Sequence, residues 1–113
     1  GLSRFYKTLG GAPIVVIVCF ERGKDDYSHR LNLASASAAV QNLLLAACNS
    51  GLAACWMMGP LQKKEDEIRR LLNIDPNHDI IAIVPIGYSA KDTKAPAKVA
   101  VEEKIRWGGL ENN

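Results

Sequence analysis

From Gln41 to Pro60 the chain reads QNLLLAACNSGLAACWMMGP, without a single charged side chain. A stretch this apolar has three destinations open to it: a buried core, a bilayer, or the wall of a ligand site. The bilayer is the poorest of the three. The nearest approach to a spanning segment, Val40 to Met58, is broken by Gln41, Asn42, Asn49, Ser50 and Gly51, and so lacks the continuity that a transmembrane helix needs.

The break at Asn49-Ser50-Gly51 divides the stretch. Upstream, Val40, Leu43, Leu44 and Ala47 recur at the spacing of one buried helix face. Ala34, Ala38, Ala39 and Ala46 are small enough to let another helix approach closely. The pattern predicts a helix from Ser28 to Asn49, with Ser28 as its N-cap and Leu31 as its first apolar residue. Apolar on most of its circumference, such a helix belongs at the centre of a domain or at a subunit interface. Gly51 follows as the left-handed residue that ends it. Downstream, Leu52 to Met58 predicts a strand, stopped by Gly59-Pro60.

The remaining elements are read in the same way. Leu2 to Leu9 predicts a short helix ending at Gly10-Gly11. The β-branched run Ile14 to Phe20, IVVIVCF, predicts a strand buried on both faces. Lys63 to Leu72 predicts a helix with Ile68, Leu71 and Leu72 as its apolar stripe, and Glu65/Arg69 and Asp66/Arg70 as i, i+4 pairs. Asn73 to Asp79 is a turn. Ile80 to Tyr88 predicts a buried strand that ends, or lies at a sheet edge, at Pro85. The tail from Ser89 is basic and broken by proline, and Glu102 to Trp107 forms a short helical turn or an extended arm. Helices alternating with apolar strands give an α/β or α+β sheet with helices on its faces. The 113 residues make one domain, with no repeat or linker.

Charge and cysteine usage narrow the function. A net charge of +2, with both signs mixed, does not describe a nucleic-acid binder. Cys19, Cys48 and Cys55 are an odd number of thiols in apolar runs, which predicts reduced, buried cysteines and a cytoplasmic protein. There is no Cys-x-x-Cys, and His29 and His78 stand apart, so no metal site is expected. G-x-S-x-G, P-loop, H-E-x-x-H and G-x-G-x-x-G are all missing. Cys55, beside Trp56 and with no histidine or basic neighbour, reads as a buried cysteine rather than a nucleophile. Any chemistry therefore belongs to a cofactor. An apolar wall ending at a glycine, with a basic tail carrying Lys91, Lys94 and Lys98, suits a flat aromatic cofactor bearing a phosphate. The competing reading makes Trp56, Met57 and Met58 core and the lysines a solvated tail. Pattern alone stops at a small α/β domain.

One resemblance goes further. AAVQNLLLAACNSGLAACWMMG, Ala38 to Gly59, resembles the central segment of the nitroreductase-like flavoproteins. There an alanine-rich helix with a Gln-Asn pair leads through Gly-Leu to a small-residue strand ending in Trp and a glycine. APIVVIVCF resembles the family's Ala-Pro strand. The segment from Ile68 to Ile105 resembles its leucine-rich helix, its strand ending in Ile-Gly-Tyr and its basic tail. The resemblance implies an α+β fold: a central mixed or antiparallel sheet flanked by helices, with a long central dimerisation helix. It implies a homodimer with FMN at the interface, and hydride transfer from NADH or NADPH through FMN to a nitroaromatic, a quinone or a related small-molecule acceptor. Neither nucleic acid nor membrane is among the implied partners. Carried over by position, Trp56, Met57, Met58 and Gly59 form the flavin wall, with backbone N–H groups at the flavin edge. Lys98 takes the place of the phosphate-binding arginine, with Lys94 assisting, and Pro85 and Gly87 shape the strand end. Ahead of Ala12-Pro13 a single arginine, Arg4, stands where the family carries an arginine-rich signature. The expectation is thus a chain lacking the family's N-terminal helical region. The alternative it leaves is a non-catalytic or fragmentary member that dimerises, or binds flavin without turnover.

Overall fold

The computed structural model describes residues 9 to 109. The helix expected over Leu2 to Leu9 lies outside them, except that Leu9–Gly11 forms a 3-10 turn. Strand β3, His78–Gly87, is the centre of a three-stranded antiparallel sheet, between β1, Ile14–Glu21, and β2, Ala53–Ala54. Ile80 to Val84 are all buried, which is what the continuous run IIAIV requires. β1, Ile14–Glu21, pairs with it from Ile14↔Ile86 to Glu21↔His78, with an irregularity between Val18 and Cys19. That irregularity skips Ile81 on the partner strand. Ile81 then joins Ala82 and Val84 in the cluster under the long helix, while Ile80 and Ile83 face the opposite side.

β1 departs from its expected burial. It is an edge strand, so Ile14 is 58 % and Val15 37 % exposed, and only Phe20 at its far end is buried. The strand buried on both faces is β3. Pro85 departs too: the strand neither ends nor lies at an edge there, since β3 continues to Gly87 with a neighbour on each side. The proline acts on one side only. β2 is just Ala53–Ala54, paired as Ala53↔Gly87 and Ala54↔Ile86, and the chain meets β3 again only at Met57↔Ile83. This register sets Cys55 opposite Pro85, at a position where the two residues would exchange hydrogen bonds. Pro85 has no N–H to give. The strand expected over Leu52 to Met58 is interrupted for that reason.

Helix α1, Asp26–Asn49, crosses all three strands. Its cap is Asp25, not Ser28. The Ser28 N–H donates to Asp25 Oδ1 (2.7 Å) and the Asp25 N–H donates to Ser28 Oγ (3.1 Å), a reciprocal capping box with serine at its third position. At the other end Gly51, at φ +75°, donates to the Cys48 carbonyl and Leu52 donates to the Ala47 carbonyl, which closes the helix as a Schellman motif. Val40 and Ala47 are buried, with Leu43 and Leu44 partly buried against the same cluster, as the periodicity predicts. Contrary to the sequence reading, α1 is long and apolar enough by length and composition to cross a membrane. The apolar run lies upstream of the break at Asn49, not across it.

Helix α2, Leu61–Leu72, enters the second cluster through Leu61 and Ile68. The expected stripe holds only for Ile68; Leu71 is 83 % exposed and Leu72 is exposed as well. Ten residues on from Leu61, Leu71 is turned about 80° off the buried face. Glu65 and Arg69 pair at 2.9 Å, whereas Arg70 reaches only the Asp66 carbonyl. Arg69 also donates to the His78 carbonyl, tying α2 to the start of β3. After β3 the chain is irregular except for α3, Val101–Lys104.

The cysteines are free thiols, but the expectation of burial fails for two of them: Cys48 and Cys55 are exposed and Cys19 is half-buried. Cys48 sits off the Val40 face of α1, and Cys55 lies where the β2 ladder is interrupted. Burial pushes the Cys19 thiol up from its ordinary pKa, with the nearby Arg69 charge opposing.

The capping box carries a pH signature. The Ser28 N–H and hydroxyl hold the Asp25 carboxyl below the usual aspartate range. A carboxylate depressed in the folded state stabilises above its unfolded pKa, and that contribution fades as pH falls. Asp25→Ala is therefore expected to lower the urea midpoint at pH 7. The gap to wild type should shrink below about pH 4. Urea titrations at both pH values check this.

Candidate functional site

Trp56, Met57, Met58 and Gly59 form the bend between the sheet and α2. Two fixed points hold it. Met57 and Ile83 exchange both backbone hydrogen bonds, at 3.0 and 2.8 Å. Two residues further on, the first turn of α2 takes the Met58 carbonyl (from the Leu61 N–H, 3.0 Å) and the Gly59 carbonyl (from the Gln62 N–H, 3.2 Å). Both carbonyls are spent. Among the described residues, neither the Met58 N–H nor the Gly59 N–H has a backbone acceptor. Among the described residues the bend therefore presents two adjacent donors that no backbone acceptor receives.

The four residues divide. Met57 is 5 % exposed and packs with Leu61, Ile80 and Ile83, so its side chain is core and only its neighbours are open to a ligand. Trp56 is half-buried, and its indole Nε1–H donates to the Ile81 carbonyl at 3.2 Å. Met58 and Gly59 are exposed. The alternatives left by the sequence, core or wall, are thus both occupied within four residues. Lys94 and Lys98 are exposed in the irregular segment after β3, and among the described residues no hydrogen bond or ion pair joins either to the bend. No group of three His, Cys, Asp or Glu suited to a metal ion occurs among the described residues.

Pro85 and Gly87 line an open, mainly apolar cleft of about 420 Å³ between the start of β1 and the end of β3, with Pro13, Ala54, Cys55 and Tyr88. The sequence reading missed Cys55 on this wall. Its exposure follows from the Pro85 interruption, a pairing that single-chain periodicity cannot display. A second cleft, about 460 Å³, lies at the other end among Arg22, Arg69, Arg70 and the turn after α2. Two of its guanidiniums are already engaged: Asp79 lies 2.6 Å from Arg22 and 3.6 Å from Arg69, and 3.4 Å from His29.

Comparison with known proteins bears on the whole arrangement. The model of the nitroreductase family matches residues 4–88. A protein of Methanothermobacter thermautotrophicus, named as a candidate NADH dehydrogenase/NAD(P)H nitroreductase, is 37 % identical over 83 residues, which are 72 % of this chain and 42 % of that protein. The crystal structure of a nitroreductase-like family protein from Bacillus cereus superposes with a TM-score of 0.76 at 22 % identity, covering 92 % of this chain and 57 % of the other. An FMN-dependent nitroreductase from Clostridium difficile R20291 gives 0.71 at 22 % identity, covering 90 % and 61 %. The chain spans about half the length of the curated relatives it matches. The antiparallel sheet with helices bears out the expected α+β fold.

The cleft gives its own prediction. A Cβ at Gly87 would stand 2.8 Å from the Pro13 ring, which is rigid and anchored at the start of β1. Gly87→Ala is expected to destabilise the chain by about 1–3 kcal/mol through overpacking, read as a lower urea midpoint at unchanged slope.

Proposed function

We propose, on the premise that this chain belongs to the nitroreductase family, that it forms part of an FMN-dependent oxidoreductase. Its electron donor is NADH or NADPH, and its acceptor is a nitroaromatic, a quinone or a related small molecule. The observation that carries the reading is the bend at Met58-Gly59: two backbone donors without a backbone acceptor among the described residues, a glycine and an exposed methionine, held between a strand bridge and a helix start. That surface fits a flat, partly apolar ring with acceptor atoms along its edge. FMN bound there supplies the hydride acceptance and electron delivery that no side-chain constellation of this chain offers.

The chain's own residues do the rest. Glycine at 59 lets the ring approach the backbone without a Cβ between them. Met58 contributes a polarisable apolar side chain beside it. Lys94 and Lys98 are the cations proposed to meet the phosphate, as point charges without the bidentate fork of arginine.

The site is proposed to be completed by a second copy of the chain. Leu31, Ala34, Ala38 and Leu45 are all exposed, and their spacing sets them on one face of α1. That face lies opposite buried Val40 and Ala47. An apolar stripe with small residues at its centre is what close helix–helix packing between two copies requires, and it supports a homodimer.

An absorbance spectrum of the purified chain, taken after FMN addition and desalting, tests the proposal. The expected result is a retained and perturbed flavin band stoichiometric with protein, followed by steady NAD(P)H oxidation. Protein that stays colourless overturns it for this chain. Gly59→Val is expected to weaken FMN binding at least tenfold, since its side chain would stand against the ring; unchanged affinity in a fluorescence titration would remove Gly59 from the site.

A further inference from the structure

β2 and β3 are in one continuous register: Ala53 faces Gly87, Ala54 faces Ile86 and Met57 faces Ile83. Pairs that exchange both hydrogen bonds recur at every second residue of an antiparallel ladder. Met57 with Ile83 is such a pair, so the next one along is Gly59 with Ile81. That pair is not made. The Ile81 carbonyl instead accepts from the Trp56 indole Nε1–H at 3.2 Å. The Gly59 carbonyl is held by the Gln62 N–H, and the Gly59 N–H is left without a backbone acceptor among the described residues. In a continued ladder the Gly59 N–H would donate to the Ile81 carbonyl, the same oxygen to which the indole N–H now donates.

We propose that Trp56 is a positioning residue: its indole N–H takes the Ile81 carbonyl in competition with the Gly59 N–H, stops the ladder one pair short, and so keeps the Gly59 amide free for a ligand. The competition is local. The two donors are separated by two residues of chain, and the Met57–Ile83 bridge fixes both relative to β3. Trp56 is also held by its ring, which packs against the cluster that contains Val40 and Val84. Its donor therefore arrives at Ile81 already ordered, while the Gly59 amide would have to bring the bend with it. The statement about the ladder stands on this geometry alone. Its consequence for a cofactor rests on the reading above, that the bend receives FMN.

Two variants separate the hydrogen bond from the packing. Trp56→Phe removes the donor and keeps an aromatic ring. Replacing Trp56 alone by benzothienylalanine removes the donor and keeps the shape. Amide hydrogen exchange of the chain without FMN reads the Gly59 N–H directly. Its exchange is expected to slow about tenfold in both variants, the change that one net backbone hydrogen bond supplies, with Met57 and Ile83 as protected as in wild type. Unchanged Gly59 exchange in the benzothienylalanine variant, with those two amides still protected, overturns the proposal. With FMN present, both variants are expected to bind it about tenfold more weakly and to shift the bound flavin band. If Gly59 slows but flavin affinity and spectrum stay as in wild type, the consequence for the cofactor is overturned while the ladder competition stands. If wild type itself binds no FMN, it is the functional reading that fails, and Gly59 exchange alone decides the role of Trp56.

Discussion

β3 places β1, β2, α1 and α2. Ile80 to Val84 are buried, and the strand has a neighbour on each edge and a helix cluster on each face. Burial of that run supplies the apolar contact on which α1 packs from one side and α2 from the other. The strand's hydrogen-bonding groups set the register of both neighbours. One residue in it, Pro85, is a defect on the β2 side only. A proline in a central strand removes a donor, and here the cost falls on the segment that then leaves the sheet.

That departure shapes the candidate site. Because β2 loosens at Cys55, the chain touches β3 once more at Met57 and then turns into α2. Between the last strand bridge and the first helical turn lie two residues whose carbonyls are used and whose amides, among the described residues, have no backbone acceptor. A donor pair of this kind needs no special side chains. It needs a backbone fixed at both ends, which a bridge and a helix start provide.

The long helix, its Val40 face and its Gly51 terminus were legible because they rest on local periodicity and on a left-handed position that glycine fills. The buried run in β3 was legible because five consecutive apolar residues admit few alternatives. What could not be read was pairing. β1 has the same β-branched composition as β3, yet it lies at an edge, and composition does not tell an edge from a centre. Asp25 and Ser28 are both good caps, and only the reciprocal bonds show which one starts the helix. The exposure of Cys55 and the freedom of the Gly59 amide depend on which residue faces Pro85 and Ile81, a relation between segments some 20 to 30 residues apart in the sequence. The site residues at the bend were named through family resemblance. The resemblance also implied backbone N–H groups there, but that those of Met58 and Gly59 have no backbone acceptor among the described residues became visible only in three dimensions.

β1 leaves one further consequence. Among the described residues its outer edge has no partner, and from Ile14 to Phe20 it carries neither charge nor proline. Such an edge is a template on which any extended apolar segment can add itself. From Ile14 onward the first charges, Glu21 and Arg22, come only at the strand's last residue and just beyond it. Within the described residues this edge is therefore an aggregation-prone border along one side of the sheet. The natural guard for that border is a neighbour of its own kind: a further strand or chain whose docking satisfies the same row of amides and carbonyls that would otherwise recruit a stranger.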